Sequence, residues 1–194
     1  MLFNLQELKD KSANNDKESE VKVTKFLDLH CERVEGLRDL LGRLPGRDEC
    51  MFLWTVNSFN AFTFIPYILK YAGRIDTMTV ATYSINKRIV DALVRYMDGG
   101  HIGELNLLLS DRLKYRVPVV VDHLSHIASN RQGMLNVGYE WVHAKVSLIE
   151  SCGEKYVVEG SGNWSENSRF EQYMFMNSEK VYDFRKSWII DKIV

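Results

Sequence analysis

Residues 141–163 of the chain read WVHAKVSLIESCGEKYVVEGSGN. His143 and Lys145 stand one residue apart in an otherwise apolar run, and Ser161 and Asn163 repeat that spacing among glycines. Because the side chains of a strand alternate between its two faces, His143 and Lys145 would share one face while apolar neighbours line the other. The stretch therefore predicts a strand with one core face and one polar face, which carries an imidazole beside an ammonium group.

The polar turn at residues 151–154 predicts that KYVVEGSGN forms a second strand, antiparallel to the first. The length of the hairpin loop then decides whether the polar groups meet. With an odd loop, His143 lies across from Asn163 and Lys145 across from Ser161, so that all four side chains share one face. An even loop without a bulge would turn Ser161 and Asn163 to the opposite face and would count against a shared site.

A cluster of this composition suits phosphate-ester chemistry. The ammonium of Lys145, the amide of Asn163 and the hydroxyl of Ser161 can hold the non-bridging oxygens of a phosphodiester. A neutral imidazole at His143 can attack phosphorus or move protons. Orienting that imidazole needs a further group, and the downstream acids are Glu166 and Glu171. We also expect Gly160 and Gly162 to bind substrate, because a backbone without Cβ lets a ligand come close.

The composition restricts the class of protein. A chain of 194 residues with 45% hydrophobic residues fits one α/β domain with a real core. A net charge of -1 provides no bulk attraction to nucleic acid or anionic membrane, so a polyanion would have to meet a local patch. The cysteines, Cys31, Cys50 and Cys152, have no metal-ligand spacing and are interpreted as buried, reduced thiols. With no signal peptide or membrane-length apolar run, we expect a cytoplasmic protein without a membrane anchor.

Strand-like and helix-like segments alternate along the chain after a polar front. Residues 1–45 are predicted to form a polar, partly helical N-terminal extension, and residues 46–194 the main domain. The alternation favours an α/β fold with a mixed, mostly parallel sheet and helices on both faces. The predicted elements are a strand at 50–56, a helix at 59–73 bent at Pro66, a strand at 77–84, a helix at 85–100, a strand at 104–110, a helix at 114–130, a β-rich region at 133–163 and a helix near 178–192.

The pattern H143-x-K145-x4-E150, then G160-S161-x-N163 and Glu171, resembles the HKD signature of the phospholipase D superfamily. The resemblance implies a phospholipase D-like fold over 46–194 and a phosphodiesterase that needs neither metal nor cofactor. It implies that the catalytic residues are His143, Lys145, Asn163 and Glu171. Of these, His143 would be a nucleophile that forms a phosphohistidine, or a general acid. Lys145 and Asn163 would hold phosphate with help from Ser161, and Glu171 would orient the imidazole.

Two departures from the family pattern carry information. Glu150 stands where the family usually has Asp, and we expect it to form a structural ion pair. Only one motif is present although the chemistry needs two histidines, so the resemblance implies a homodimer with both motifs at a shared two-fold interface. Nucleic acid, either DNA or RNA, is the favoured substrate. A phospholipase or phosphatidyltransferase and a non-catalytic module that grips nucleic-acid backbone remain the alternatives.

Several other residues are given structural interpretations. His123 and His126 have no adequate third ligand and are interpreted as helix-surface residues rather than a metal site. Trp164 and Phe170 flank the GSGN segment, and we expect core packing for both. Scattered basic residues could form a local rim but are more typical of solvated helix surfaces: Lys87, Arg88, Arg112, Lys114, Arg116 and Arg131.

Overall fold

The computed structural model describes residues 34–55, 60–165 and 170–193. Residues 34–41 form helix α1. The strands are β1 (Cys50–Thr55), β2 (Ile75–Thr82), β3 (Ile102–Ser110), β4 (Leu135–Glu140), β5 (Val146–Ser151), β6 (Glu154–Gly160) and β7 (Glu171–Asn177). The remaining helices are α2 (Phe64–Ala72, after a 3-10 turn at Ala61–Thr63), α3 (Lys87–Asp98), α4 (Leu113–Arg116), α5 (Pro118–Ser129) and α6 (Glu179–Ile190).

The strands of the described residues form one seven-stranded sheet in the order β1-β7-β6-β5-β2-β3-β4. The mixed α/β sheet is confirmed, but it is not mostly parallel. Only β2–β3 and β3–β4 pair in parallel, and the other four neighbouring pairs are antiparallel. Five of the strands nevertheless point the same way, because β5 and β7 alone run against the rest. The βαβ interpretation of the sequence therefore applies to β2–α3–β3 and to β3–α5–β4, but not to the hairpin half.

Helices cover both faces of the sheet, as the sequence predicts. Alternate side chains of each strand belong to different cores, since Leu107 and Leu109 of β3 lie in the larger cluster and Leu108 lies in the smaller one. The larger core includes the buried faces of α2, α3 and α5, and the smaller one is closed by Tyr182 and Ile189 of α6. This period-two alternation fixes which face each strand residue meets.

Strand β7 is the element that the sequence analysis missed. Its sequence EQYMFMN alternates Tyr173 and Phe175, which point into the larger core, with Gln172 and Met174 on the other side. Because β7 inserts between β1 and β6, it converts the hairpin into an antiparallel half-sheet. The aromatic alternation was the available signal, since such residues favour strands.

The hairpin between β5 and β6 has an even loop. Its two turn residues, Cys152 and Gly153, have φ of 52° and 79°. Positive φ at both central residues is typical of the type I′ turn that closes a two-residue hairpin loop. Glu150 pairs with Lys155 directly across the hairpin. The odd-loop register is therefore wrong, and the direct pairings that it gave for Ser161 and Asn163 do not occur.

The cysteine and N-terminal expectations have mixed outcomes. Cys50 and Cys152 are free thiols but exposed, so the expectation of burial is wrong for both, and Cys31 lies outside the described residues. Leu37 of α1 is fully buried in the larger core. Tyr67 of α2 donates a hydrogen bond to the backbone oxygen of Arg43 at 2.8 Å, which fixes the segment after α1 against the domain. Residues 1–33 lie outside the described part.

Among the helices of the described residues, none is both long enough and apolar enough to cross a bilayer.

Candidate active site

Most of the predicted site residues lie at one edge of the sheet. At this edge the carboxyl ends of β2, β3 and β6 meet the amino ends of β5 and β7. His143 and Lys145 immediately precede β5, Ser161 and Asn163 follow β6, and Glu171 begins β7. Since these residues lie at or beyond strand ends, the pleat alternation of the hairpin does not decide where the side chains of His143, Ser161 and Asn163 point. The edge where most strands of an α/β sheet present their carboxyl ends is the usual ligand side.

His143 is exposed and is held by two neighbours. Its ring packs against the ring of Tyr83, with centroids 4.8 Å apart and planes tilted by 55°. Its Nδ1 lies 3.1 Å from Nζ of Lys145, and the same ammonium donates to the backbone oxygen of His143 at 2.8 Å. Because an ammonium group can only donate, this contact is a hydrogen bond in the tautomer that carries its proton on Nε2 and accepts at Nδ1.

Lys145 is half-buried, and its ammonium lies 5.8 Å from the ring centroid of Tyr83. Burial lowers the pKa of Lys145 from its usual value, and the carboxylate of Glu171 opposes part of that shift. The backbone oxygen of Lys145 accepts a hydrogen bond from the N–H of Gly160 at 3.3 Å, so the ladder of the hairpin continues to this residue. The ammonium thus lies within electrostatic reach of both His143 and Glu171.

Ser161 and Glu171 are joined by a short hydrogen bond, in which the hydroxyl donates to the carboxylate. The hydroxyl also accepts from the backbone N–H of Gln172 at 3.0 Å, and the Ser161 N–H donates to the Gln172 oxygen at 3.0 Å. Glu171 is only 9% exposed. Ser161 therefore ties the end of β6 to the start of β7 and keeps the carboxylate of Glu171 at the site edge.

Asn163 is half-buried, and its backbone oxygen accepts from the N–H of Ala61 at 3.2 Å. The next residue, Trp164, is buried, and its indole N–H donates to Oγ of Ser147 at 3.1 Å. Core packing of Trp164 is thereby confirmed. Phe170 is 64% exposed, so the same expectation for that ring is wrong. The core anchor of Trp164 sets the position of the GSGN segment.

Strand packing accounts for the glycine at position 160. A Cβ at Gly160 would lie 2.2 Å from the backbone oxygen of Gln172 and 2.7 Å from Cδ1 of Tyr173. Such contacts are far inside van der Waals distance, so the close approach of β6 and β7 requires glycine here. Gly162 is buried beside the site, and its predicted contact with substrate remains a prediction.

Glu150 lies at the other end of β5, away from the site. Glu150 lies five positions after Lys145, which is about 17 Å of strand at the usual rise per residue. Glu150 forms no ion pair in the described ranges, contrary to expectation, and Lys155 across from it binds Glu179 and Asp183 instead. Its negative charge lies near Tyr182, whose pKa is raised mainly by burial and to a smaller extent by Glu150.

The structure adds residues that the sequence analysis left outside the site. A half-open cleft of about 560 Å³ adjoins His143. Its lining includes Arg112 and Arg116 from the segment after β3, and Tyr83 from the end of β2. The two arginines were only members of a possible basic rim, because spacing alone does not say which charges converge. Their position directly after a strand that ends at the ligand edge was the available signal.

No protein-family model and no curated protein matches the sequence. Among solved structures, the archaeal chromatin protein TrmBL2, whose structure shows a novel mode of DNA binding, is 14% identical, with a TM-score of 0.51 over 95% of this chain. A polyphosphate kinase from Porphyromonas gingivalis is 13% identical, with a TM-score of 0.53 over 73% of this chain. NucT from Helicobacter pylori is 15% identical, with a TM-score of 0.49 over 75% of this chain and 99% of its own.

These identities show a shared fold and nothing finer. The matched part of this chain spans 64% of the chromatin protein and 26% of the kinase. The likeness to the kinase agrees with the mixed α/β fold with helices on both faces of the sheet that the sequence predicts.

Proposed function

We propose that this chain is a metal-independent phosphodiesterase, and specifically a nuclease, whose catalytic domain spans residues 46–194. One observation carries the proposal. An exposed imidazole, His143, lines an arginine-bearing cleft at the ligand edge of the sheet and is held through Nδ1 by Lys145. Positive charge beside a positioned imidazole is the arrangement that phosphoryl transfer needs, since the transferred group spreads negative charge over its oxygens.

The proposed reaction has two steps. Nε2 of His143 attacks phosphorus, the bond from phosphorus to the leaving oxygen breaks, and that oxygen takes a proton from a second imidazole. Water then attacks the phosphohistidine, gives its proton to the second imidazole, and the bond between phosphorus and nitrogen breaks. Lys145 and Asn163 would hold the non-bridging oxygens, with Ser161 and Glu171 fixing the edge around them.

The second imidazole is proposed to come from another copy of the chain. One chain supplies one His143 at this edge, and an isologous dimer would bring the partner's His143 to the same phosphate without further sequence. The two imidazoles would differ only in their proton. The nucleophile would need Lys145 to turn toward phosphate, which frees Nδ1 to carry the proton. The general acid would be an imidazolium, protonated on both nitrogens, because a neutral ring that gave up its Nε2 proton would become an imidazolate; in that copy too, Lys145 would turn from Nδ1 toward phosphate.

A non-catalytic module that grips nucleic-acid backbone is the second candidate. The cleft favours it, because Arg112 and Arg116 line it beside His143 and neither forms an ion pair in the described ranges. Lys145 and the cleft arginines could bind phosphates without any chemistry at His143. A phospholipase is the remaining alternative, with the same chemistry on a lipid phosphodiester.

Cleavage in EDTA tests the proposal against these alternatives. Wild type and His143→Ala are incubated with plasmid, single-stranded DNA, RNA and phospholipid vesicles, after their masses have been measured by light scattering. We expect a dimer that cuts nucleic acid without metal and a variant reduced at least about 10³-fold. On wild type, intact mass after a rapid quench should show an acid-labile adduct heavier by the strand that stays esterified to the phosphorus. A monomer that cuts normally, or a variant as active as wild type, contradicts the proposal. Binding without cleavage by either protein indicates the non-catalytic module, and cleavage of vesicles alone indicates the phospholipase.

A further inference from the structure

The cleft beside His143 combines exposed aromatic rings with arginines. It is formed by the end of β2, the segment that follows β3, and the turn between β4 and β5. The residues of its lining that matter here are Tyr83, Arg112, Tyr115, Arg116, Trp141 and His143.

Trp141 and Tyr115 present their rings to solvent although each could bury a large apolar area. Trp141 is 73% exposed and Tyr115 is 84% exposed. Trp141 is nevertheless held at its backbone, because its N–H donates to the carboxylate of Glu140 at 2.9 Å. Exposed aromatic rings on an anchored backbone are a ready stacking surface.

The two arginines of the cleft are directed at aromatic groups rather than at carboxylates. The guanidinium of Arg112 lies 4.7 Å from the ring centroid of Trp141, and Arg116 donates to the hydroxyl of Tyr83 at 2.8 Å. Neither arginine forms an ion pair in the described part of the chain, whereas Arg43, Arg131 and Arg185 each do. Two positive charges at the mouth of the candidate active site therefore remain available to an anion.

We propose that this cleft binds unpaired nucleotides of a single-stranded nucleic acid and leads its backbone to His143. Bases stack on Trp141 and Tyr115, and the phosphates between them meet Arg112 and Arg116. The inference rests on the proposed function, since it names the form of the substrate. Stacking needs free base faces, which a single strand offers and a duplex hides within its own stack. Arginine beside an aromatic ring serves both partners, because it can stack on a base and bind a phosphate.

The test measures binding and cleavage separately on the full chain. A fluorescein-labelled dT12 strand and a 12-base-pair duplex are titrated in EDTA with His143→Ala, so that the probe is not consumed. Trp141→Ala and Tyr115→Ala are then added in that background. Trp54→Ala is the matched control, because Trp54 is also 73% exposed but lies on β1, the edge strand at the far side of the sheet. Arg112→Ala is titrated at several salt concentrations.

We expect dT12 to bind more tightly than the duplex. Trp141→Ala and Tyr115→Ala should each weaken dT12 binding about 5- to 100-fold, with Trp54→Ala unchanged. Arg112→Ala should lower the slope of log affinity against log salt by about 0.7, the share of one phosphate contact on a single strand. Trp141→Phe, which keeps a ring, should retain most of the affinity.

Equal binding of duplex and dT12, or equal losses in Trp54→Ala and Trp141→Ala, overturns the inference. A fall in dimer mass for Trp141→Ala without an effect on dT12 also overturns it, because the ring would then belong to a contact between copies. Failure of the proposed function is separable. If His143→Ala does not impair cleavage but Trp141→Ala still weakens dT12 binding, the cleft stands and the nuclease mechanism falls.

Discussion

The two ends of the β5–β6 hairpin differ in whether their basic side chains have carboxylate partners. At the turn end, Lys155 lies between Glu179 at 2.9 Å and Asp183 at 3.0 Å. At the open end, His143 and the cleft arginines have no carboxylate partner within the described ranges. Charges that the chain neutralises itself contribute to the fold, whereas charges left without counterions at a concave edge indicate a ligand. The comparison assigns structure to one end of the hairpin and recognition to the other.

The largest expected effect separates the two lysines of the hairpin. Lys145→Ala should reduce cleavage about 10²- to 10³-fold, as the loss of one preorganised donor to a developing oxyanion does. Its melting temperature should stay near that of wild type. Lys155→Ala removes two surface ion pairs, each worth about 0–1 kcal/mol, and should leave the rate unchanged. Steady-state rates and thermal melts of both variants check this, and equal losses of rate would erase the distinction between the two ends.

The next effect concerns stability at the junction of β6 and β7. Gly160→Ala places a methyl group against the Gln172 oxygen and the Tyr173 ring, and should cost about 1–3 kcal/mol in the free energy of unfolding. Gly36→Ala is the control, since a Cβ there meets nothing within 4 Å, and it should stabilise the helix by up to about 1 kcal/mol. Urea unfolding measures both. A Gly160→Ala variant of unchanged stability but lost activity would return that glycine to a role with substrate.

Residue patterns predicted the elements better than their pairing. The interpretations at 50–56, 85–100 and 104–110 correspond to β1, α3 and β3, because hydrophobic periodicity and caps are local signals. The side chain of Asn86, which accepts from the N–H of Ile89 at 3.0 Å, is one such cap. The antiparallel hairpin of β5 and β6 was predicted because its strands are neighbours in sequence. The insertion of β7 between β1 and β6 depends on contacts distant in sequence and was not accessible.

The site residues that belong to the sequence motif could be predicted, and those that only folding brings together could not. His143, Lys145 and Glu171 could be chosen from spacing and resemblance, and the structure brings all three to one edge. Arg116 and Trp141 carry no motif, and only the folded sheet places them beside His143. Glu150 is the opposite case, because it belongs to the motif but does not lie at the site. Five positions along β5 place it near the turn end of the hairpin, at the other edge of the sheet.

A smaller effect should appear in the pH dependence of the open end. The carboxylate of Glu171 raises the pKa of Lys145 against the lowering by burial. Glu171→Gln removes that charge, so the pKa of Lys145 falls and the ammonium is lost at a lower pH. The alkaline limb of the pH–rate profile should therefore move to lower pH, with a loss of rate at the optimum smaller than for Lys145→Ala. Glu140→Gln serves as the control and should leave the limb in place. If the alkaline limb stays in place in Glu171→Gln, the charge of Glu171 does not control the pKa of the group that titrates there.

The smallest effect belongs to the turn end, where Glu154 accepts from Nδ2 of Asn177 at 2.7 Å. This hydrogen bond, and then the charge of Arg47, hold the pKa of Glu154 below its usual value. A carboxylate with a lowered folded-state pKa stabilises the fold above its unfolded-state pKa of about 4.3, and this stabilisation is lost as the pH falls through the folded-state value. Urea unfolding from neutral to acid pH should show wild type more stable than Glu154→Gln near neutrality, with the difference vanishing in acid. A double-mutant cycle with Asn177→Ala should lose its coupling over the same range, because the amide donates to the ionised carboxylate. Coupling that persists in acid would mean that the Asn177 amide binds the protonated carboxyl as well, and the charge of Glu154 would then not carry the effect.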